Sequence, residues 1–559
     1  MKQFNDLAKE HFIVILLGLF MAAGIGFSYG IGNQHTYLVD GLRLINPELL
    51  KFDWFATKTT HYHGTFGWVL WIIEKIMPLP VGTVLLNILL IMMSIGALYS
   101  IIKQYHTGHT LFSLFLLISM MILTQTSSVG GSYIYSSYLQ PSSLSAVFLI
   151  LAMASFLKAQ YLASGFLLAA SGLFHTNFLL LGLISFGLAH LLMGRQDFFK
   201  RCTANMLPAF IYLLYLLPTL LDMSTSEYGE QARYIYQHIR SPHHYIPMTY
   251  LPDFVQYLGI NLLALSFILS DHDQKNCFKP LYLLFFVLFT LVMLATLLTS
   301  IIFIPFISQL FVWRLAPFSN LLAEVIVSIH IFRLLNGKNP VSRQTLALFS
   351  AGLVVLLTYY LNSGGLSYIV ALFVSFAISS IFFIASTKCN KWGHKEDLIK
   401  TIGVTGIFVL AIVLRYPGSY NHSNLINGKS DSNKQTLFEW VKINTPLDAQ
   451  IMIPPGMQDF RLNSQRAVVV DWKSPPIMPD EVMEWYQRIS DITGTPNINS
   501  PKQAKLKYTL MDKRRLSAIK TKYSIDYAVF YSNKKHIKEL GDVIFNNAKY
   551  TVIEVTRSD

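Results

Sequence analysis

The sequence predicts a mainly α-helical, polytopic membrane protein of about thirteen transmembrane helices, followed by a small C-terminal α/β domain. The 559 residues are 53% hydrophobic and only 13% charged, which is too apolar for one soluble core of this length. Apolar runs recur through the first 415 positions, with lengths near the roughly 20 residues that cross about 30 Å of hydrocarbon. From Pro417 onward, 20 basic and 15 acidic residues replace these runs, which indicates a water-soluble domain.

Thirteen apolar segments are predicted to span the membrane within a transmembrane domain of residues 1–416. The first has no small-residue cleavage site, so we expect an uncleaved helix rather than a signal peptide. The segments are 12–30, 81–102, 109–125, 142–157, 160–175, 177–193, 204–221, 256–270, 280–304, 317–333, 345–362, 366–386 and 400–415.

Residues 417–559 are expected to form the α/β domain, because short apolar runs of strand length alternate there with helical periodicity. The predicted strands are 450–453, 467–470 and 527–530, and residues 502–520 are predicted to form one helix. Asp471, Trp472 and Lys473 follow the second strand directly. Strand ends of α/β domains often host sites. The segment has no glycine fingerprint for a nucleotide and no nucleophile arrangement, so we assign these residues a structural or acceptor-shaping role.

The distribution of basic residues predicts the orientation of the chain. With the N-terminus in the cytoplasm, most loop Lys and Arg residues fall on the cytoplasmic side, as the positive-inside rule requires. Cys202, Cys277 and Cys389 fall in or beside the same loops, where thiols stay reduced. The predicted location is a bacterial inner membrane with the C-terminal domain in the periplasm. The bilayer is the expected partner, and a nucleic acid is not, because much of the net charge of +13 lies in these short loops.

Three predicted extracytoplasmic loops are long enough to build a site. They are residues 31–80, 125–141 and 222–255. Within the first loop, residues 68–77 are apolar but too short to span the bilayer, and we expect them to lie along its surface.

Asp53 and Asp40 in the first loop are the candidate catalytic carboxylates. A carboxylate at the membrane surface can take the proton of an acceptor hydroxyl, or it can bind a divalent cation such as Mg²⁺ or Mn²⁺ as a cofactor. Trp54 and Phe55 are expected to hold Asp53 near the lipid head groups. The alternative is a solvated loop acid beside an ordinary aromatic anchor.

Side chains in or beside the outer loops are expected to contact the substrate. Cations next to tyrosines can hold a lipid-linked phosphate, and tyrosines near glycines can border a sugar. The same residues also fit ordinary contacts with lipid head groups, or an aromatic belt. The candidate substrate-binding residues are His35, His63, Tyr133, Tyr135, Arg233, Arg240 and Arg314.

Several catalytic motifs are missing from the sequence. It contains no Walker loop, GxSxG, HExxH or helix-opening GxGxxG. Their absence argues against ATP-driven transport and against hydrolysis of the kind that soluble enzymes perform.

The layout resembles that of the GT-C superfamily of membrane glycosyltransferases. The shared features are an uncleaved first span, an acidic first outer loop with an interfacial helix, short middle spans and an external α/β tail. More closely, three passages resemble a family of bacterial polytopic proteins whose activity is uncharacterised. They are Asn33–His63 ("NQHTYLVDGLRLINPELLKFDWFATKTTHYH"), Tyr133–Leu144 with Phe174–Phe178 ("YIYSSYLQPSSL", "FHTNF") and Ile453–Pro476 ("IPPGMQDFRLNSQRAVVVDWKSPP").

The resemblance implies a sugar transfer from a polyprenyl-phosphate-linked donor to an envelope glycan, lipid or protein at the outer face of the membrane. It also implies a catalytic or metal-binding carboxylate in the first outer loop, where Asp53 and Asp40 match. The loop lacks an Asp-Glu doublet and the tail lacks a Trp-Trp-Asp type of signature, which argues against oligosaccharyl transfer to asparagine and protein O-mannosyl transfer. The alternative is a non-enzymatic protein that binds or translocates a lipid-linked glycan.

Overall fold

The computed structural model describes residues 2–105, 110–124, 127–270, 275–335, 431–532 and 535–555. A helical bundle comes first and a smaller α/β domain follows it. The helices of the bundle are α1 (Lys2–Ile25), α2 (Gln34–Ile45), α3 (Trp54–Lys58), α4 (Gly64–Ile76), α5 (Leu79–Tyr105), α6 (Thr110–Thr124), α7 (Pro141–Leu157), α8 (Tyr161–Phe174), α9 (Thr176–Leu192), α10 (Phe198–Thr225), α11 (Gly229–Tyr234), α12 (Pro242–Tyr245), α13 (Leu251–Ser270), α14 (Lys275–Leu297), α15 (Pro305–Gln309) and α16 (Ala316–Leu335). A short antiparallel hairpin lies between α6 and α7. Its strands, β1 (Ser127–Ser128) and β2 (Ser132–Tyr133), have two residues each.

Ten apolar helices in the described residues coincide with the first ten predicted spans. Six are long and apolar enough to cross a membrane: Ala8–Ile25, Leu79–Tyr105, Phe198–Met223, Leu251–Leu269, Cys277–Ile302 and Val312–Ile331. Four are shorter: Thr110–Ile122, Pro141–Leu157, Tyr161–Phe174 and Thr176–Leu192. The prediction of a polytopic α-helical membrane protein is confirmed. The predicted spans 345–362, 366–386 and 400–415 lie outside the described residues.

Polar side chains inside the bundle bond to one another across helices. The hydroxyl oxygens of Ser145 and Ser171 are 2.9 Å apart, and Asn261 Nδ2 donates to Asn320 Oδ1 at 2.8 Å. No water is present in hydrocarbon to satisfy such groups, so these pairs hold the helices in one register.

Helix α4 exposes one apolar face. Trp68, Ile72 and Ile76 recur every four residues and are 55%, 51% and 72% exposed, whereas Phe66 and Leu70 are buried. A helix with this pattern fits the boundary between head groups and acyl chains. It covers most of residues 68–77, which were predicted to lie along the membrane surface.

The C-terminal part is a five-stranded mixed sheet with helices on both faces. The strands are β3 (Gln450–Met452), β4 (Ala467–Val468), β5 (Tyr527–Tyr531), β6 (Asp542–Asn546) and β7 (Tyr550–Glu554), in the order β4-β3-β5-β7-β6. Strands β4, β3 and β5 are parallel, and β7 is antiparallel to both of its neighbours. Helices α17 (Ser432–Asn444) and α18 (Phe460–Ser464) cover one face, and α19 (Pro479–Thr493), α20 (Pro501–Tyr508) and α21 (Lys513–Tyr523) cover the other.

The single helix predicted over residues 502–520 is two helices. Helix α20 ends at Tyr508, and α21 begins after Asp512, whose side chain accepts a hydrogen bond from the backbone N–H of Arg515. Aspartate is a preferred N-cap, so this residue starts a new helix where the helical periodicity alone indicated continuity.

The α19 face of the domain rests on the bundle. Ala232 and Ile235, which follow α10, belong to the same apolar core as Trp485 and Ile489 of α19. We call the end of the bundle that meets the domain the domain face. The connections 26–78, 127–140, 226–250 and 303–315 gather there.

Gly41 provides a test of the packing that shapes the first of these connections. A Cβ at Gly41 would lie 2.6 Å from the Cβ of Leu70 on α4. We expect Gly41→Ala to lower the free energy of unfolding by about 1–3 kcal/mol, because such overpacking forces the helices apart. Gly64→Ala is the matched control, since a Cβ there meets nothing within 4 Å. Thermal unfolding in detergent measures both, and equal midpoints would contradict the close crossing of α2 and α4.

Candidate active site between the bundle and the C-terminal domain

Asp53 is fully buried, and both of its carboxylate oxygens are bonded. It caps α3, and its Oδ1 accepts a hydrogen bond from the backbone N–H of Ala56 at 3.0 Å. Its Oδ2 accepts from Nε of Arg461 at 2.7 Å and from the backbone N–H of Val468 at 2.9 Å. Arg461 and Val468 belong to the C-terminal domain, so Asp53 ties the first loop to that domain.

Arg461 lies between two carboxylates. Its Nη1 donates to Oδ2 of Asp471 at 2.5 Å, and none of the three charged side chains is more than 1% exposed. Burial alone would lower the pKa of Arg461, but the two carboxylates outweigh it and raise the pKa, so the guanidinium stays charged. We call Asp53, Arg461 and Asp471 the buried ion triad.

Trp54 and Phe55 pack against arginines of the C-terminal domain. The guanidinium carbon of Arg488 lies 4.7 Å from the centre of the Trp54 ring, and that of Arg461 lies 5.3 Å from the Phe55 ring. These are cation–π contacts. The expectation that the pair anchors the loop in the lipid interface is therefore wrong, because the rings are used for docking the domain.

The surroundings of Asp53 do not fit a divalent cation. A guanidinium and two backbone N–H groups already occupy its oxygens, and a second cation beside Arg461 would be repelled. Within the described ranges, no group of three or more His, Cys, Asp or Glu side chains is placed to hold a metal ion. A catalytic role for Asp53 stays a prediction.

Asp40 forms a carboxylate–histidine pair at the surface of the site. It lies on α2, and its Oδ1 is 2.7 Å from Nδ1 of His61. The hydrogen bond to Asp40 raises the pKa of His61. Because a carboxylate accepts, Nδ1 carries the proton and Nε2 of the neutral ring is left as a base.

Arg314 and Arg240 lie in the same region of the domain face. Arg314 donates from Nη1 to Nε2 of His175 at 2.5 Å, and Arg240 donates from Nη2 to the backbone oxygen of Lys473 at 2.9 Å. Burial, together with His243, Arg314 and Arg240, lowers the pKa of His244 to about 3. Both arginines therefore lie near this one imidazole.

The cations of this group have no carboxylate partner. Among the residues that the structure describes, Arg240, Arg314 and Lys473 form no salt bridge. We call these three residues the cationic cluster. A desolvated, unpaired cation is costly, which points to an anionic ligand.

Aromatic rings surround the cationic cluster. The Phe311 ring faces the guanidinium of Arg314 at 5.4 Å, and the Tyr245 ring packs on Phe311 at 4.5 Å. The Tyr236 ring follows at 6.2 Å from Tyr245, and its hydroxyl donates to the backbone oxygen of Pro476 in the C-terminal domain. The rings thus form a path from the bundle to the domain.

Tyr37 and Tyr133 also belong to this region. Burial raises the pKa of Tyr37. Nearby Tyr133 raises it further, whereas Arg314 and Arg240 lower it. Tyr133 accepts a hydrogen bond at its hydroxyl from Nε2 of Gln140 at 2.8 Å. The structure therefore brings together three of the residues predicted to bind substrate, Tyr133, Arg240 and Arg314.

His63 joins the first loop to the same region. Its ring packs on Tyr62 at 4.3 Å, on Tyr37 at 4.8 Å and on His175 at 5.9 Å. Burial lowers its pKa to about 4, so the ring is neutral at ordinary pH. His63 thus contributes a neutral polar wall rather than a charge.

His35 lies toward the C-terminal domain. Its Nε2 is 2.8 Å from the backbone oxygen of Gly30, and the residue is only 7% exposed. Its pKa is lowered, mainly by burial. Asp459 and Asp471 oppose this effect, and Lys473 adds to it. His35 is therefore near the Lys473 end of the cationic cluster.

Two predicted binding residues lie elsewhere. Tyr135 is buried in the bundle, where its hydroxyl donates to Ser94 Oγ at 2.6 Å. Arg233 lies on α11, which packs against α19, and it is not among the described residues that contact the cluster. Tyr135 follows Tyr133 by two positions, so sequence proximity alone gave it the same expected role.

Some members of the site were not expected from the sequence. Arg461 gives no local signal, because its partner Asp53 is 408 positions away. Lys473 was assigned only a structural or acceptor-shaping role, and His175, which lies between α8 and α9, was not among the predicted site residues. His61 was not among the predicted site residues, although the fold places it beside Asp40 on the rim of the site.

Comparisons with known proteins identify the fold. A domain of unknown function (DUF6798) matches residues 432–492. A search of curated protein sequences finds no significant match. The crystal structure of ArnT from Cupriavidus metallidurans in the apo state matches with a TM-score of 0.52 at 10% identity, over 100% of this chain and 99% of that chain. The same protein bound to undecaprenyl phosphate matches with a TM-score of 0.48 at 10% identity, over 99% and 98% of the two chains.

The chain is a polytopic membrane protein with a GT-C-like fold. The apo ArnT structure matches it along its whole length, which confirms the architecture expected from the layout of spans, interfacial helix and α/β tail. More particularly, the fold is similar to that of ArnT. At 10% identity this likeness concerns the fold alone.

The buried ion triad predicts a large effect of Asp53→Asn on stability. Removing one partner of a buried ion pair costs about 3–5 kcal/mol, because the other charge stays desolvated. We expect the variant to unfold at lower temperature and its C-terminal domain to be cleaved faster by protease. Glu48→Gln is the control, because its pair with Lys51 is exposed and such pairs are worth about 0–1 kcal/mol. An Asp53→Asn protein as stable as the wild type but inactive would instead support catalysis by Asp53.

Proposed function

We propose that this protein is an inverting membrane glycosyltransferase. It transfers a sugar from a polyprenyl-phosphate-linked donor to an envelope glycan, lipid or protein at the outer face of a bacterial inner membrane. The N-terminus is cytoplasmic and the C-terminal domain is periplasmic, in agreement with the positive-inside rule. The observation that carries the proposal is the unpaired Arg314 at the end of an apolar groove.

The groove is suited to an isoprenoid chain. It has a volume of about 920 Å³ and apolar walls from α9, α10 and α15. Its α10 wall extends from Cys202 to Leu213, about 16 Å along the helix axis at 1.5 Å per residue. Phe306 and Leu310 form its end at the domain face.

The groove leads to the cation that would hold the donor phosphate. Asn177 Nδ2 donates to the backbone oxygen of Leu310 at 2.7 Å, and Asn177 is two residues from His175, which binds Arg314. A lipid whose chain lies in the groove would present its phosphate to Arg314. Arginine donors match phosphate oxygens in geometry and charge.

The proposed reaction is a single displacement. An acceptor hydroxyl attacks the anomeric carbon, and a new carbon–oxygen bond forms. The bond from that carbon to the phosphate oxygen breaks, and its electron pair leaves with polyprenyl phosphate. Arg314 stabilises the charge that develops on the phosphate.

We assign the proton transfer to His61. Asp40 holds the Nδ1 proton, which leaves Nε2 free to take the proton of the acceptor hydroxyl. Asp53 would then be a positioning residue within the buried ion triad, and Asp40 would be a positioning residue that acts through the imidazole of His61. The pair also favours an enzyme over a protein that only binds or translocates a lipid-linked glycan, since binding requires no base.

Arg314→Gln tests the proposed donor site. We expect it to reduce sugar transfer by about 10²–10³-fold, the usual effect of removing one charge-stabilising donor. Envelope glycans are compared by mass spectrometry between a deletion strain and strains carrying wild type, Arg314→Gln or Arg514→Gln. Arg514 is an exposed arginine on α21 and serves as the matched control. Full restoration of the glycan by Arg314→Gln, or no glycan difference in the deletion, would contradict the proposal.

Asp40→Asn tests the proposed base through its pH dependence. The raised pKa of His61 means that its base form is present only above that pKa, so the wild-type rate should fall as the pH drops through it. Without the carboxylate, the pKa should return toward the ordinary value of about 6.5. We therefore expect the acidic limb to move to lower pH and the maximal rate to fall roughly 10²-fold.

The measurement is the initial rate of polyprenyl phosphate release in proteoliposomes from pH 5 to pH 9. His61→Gln should lose the acidic limb altogether, because no imidazole then titrates. An acidic limb that is unchanged in both variants would remove His61 and Asp40 from the reaction.

A further inference from the structure

The turn of residues 471–474 presents a lysine from the C-terminal domain to the bundle. Oδ1 of Asp471 accepts hydrogen bonds from the backbone N–H groups of Lys473 at 2.7 Å and Ser474 at 2.9 Å. Arg240 binds the backbone oxygen of Lys473, and Ser474 Oγ is 3.2 Å from Oγ1 of Thr36 on α2. The turn is therefore held from both the domain and the bundle.

The side chains of Lys473 and Arg240 are neighbouring like charges, and neither has a carboxylate partner among the described residues. Within the described chain, Nζ of Lys473 has no hydrogen bond or salt bridge, and the buried Nε of Arg240 has no partner. Burial lowers the pKa of Lys473, and the neighbouring Arg240 lowers it further. Asp471 offers little relief, because its oxygens bind Arg461 and the two backbone N–H groups.

A buried acceptor without a partner lies close by. Nε2 of His35 is bonded to a backbone oxygen and therefore carries the ring proton, which leaves Nδ1 with a lone pair. Nδ1 is buried and has no hydrogen-bond partner. A ligand hydroxyl would satisfy it, just as an anion would satisfy the two cations.

We propose that Lys473, Arg240 and His35 form a phosphate-binding subsite between the bundle and the C-terminal domain, separate from the Arg314 end of the cluster. Lys473 and Arg240 bind the oxygens of a phosphate group, and His35 Nδ1 accepts a hydrogen bond from the ligand. The inference rests on the proposed function, because it assumes that Arg314 binds the donor phosphate. The phosphate at Lys473 is either the donor phosphate itself, contacted from the domain by Lys473 while Arg314 contacts it from the bundle, or a phosphate of an anionic acceptor.

Binding of inorganic phosphate tests the subsite without any transfer reaction. The full-length protein in detergent is titrated with phosphate, and thermal unfolding reports binding. We expect saturable stabilisation of the wild type and about tenfold weaker binding for Lys473→Gln, as for the loss of one charge-assisted hydrogen bond. Lys473→Arg should retain most of the binding, and Lys502→Gln, an exposed lysine on α20, is the matched control.

Undecaprenyl phosphate distinguishes the two sources of the phosphate. If both Lys473→Gln and Arg314→Gln weaken its binding, the subsite serves the donor. If only Arg314→Gln does so, while Lys473→Gln weakens inorganic phosphate, the subsite serves an anionic acceptor. Both results support the subsite.

Unchanged phosphate affinity in Lys473→Gln would overturn the inference, provided that its unfolding midpoint without ligand equals that of the wild type. A lower midpoint would show that Lys473→Gln has a structural effect. Lys473→Arg, which keeps the charge, then decides: retained phosphate binding supports the subsite, and lost binding overturns it. Failure of the glycan experiment with normal phosphate binding would reject the proposed function alone.

Discussion

The burial of Arg461 between Asp53 and Asp471 is the constraint on which the site depends. Each carboxylate belongs to a different part of the chain, one to the loop before α3 and the other to the turn that carries Lys473. A guanidinium that is removed from water needs both of them, and each needs the guanidinium. The ion triad therefore specifies one arrangement of the loop and the domain, and any displacement would leave a buried charge unpaired.

Further contacts convert this constraint into the geometry of the site. The cation–π contacts of Trp54 and Phe55 add apolar area and orientation to the ionic link. Thr60 donates to Glu481 of α19 through both its backbone N–H and its hydroxyl, so His61, the next residue, is held beside the domain as well. Asp40 and Arg314 both influence the pKa of His63, so the carboxylate–histidine pair lies in the same region as the cationic cluster, to which the domain contributes Lys473.

The difference between what the sequence predicted and what it did not follows from the range of the interactions. Ten spans and the interfacial helix α4 could be predicted, because length and apolar periodicity are local properties of the chain. Trp54 and Phe55 could not be placed, since an aromatic pair beside a membrane fits lipid head groups and a domain interface equally well. The environment of Asp53 depends on a residue 408 positions away, and one sequence contains no record of that pairing. Arg240 and Arg314 were predicted to bind substrate from a cationic and aromatic setting that is visible locally, as was Arg233, which lies elsewhere. The contribution of Lys473 requires the fold.

The division of the cations between two parts of the chain has a physical consequence for how the site works. Arg314 is fixed to the bundle through His175, at the end of the groove, so its position relative to a lipid does not depend on the domain. Lys473 belongs to the domain, and its position depends on the ion triad. Lys473 and Arg240 are like charges, so an anion bound between them, as we propose, would reduce their repulsion. It would thereby stabilise the same interface that the triad holds.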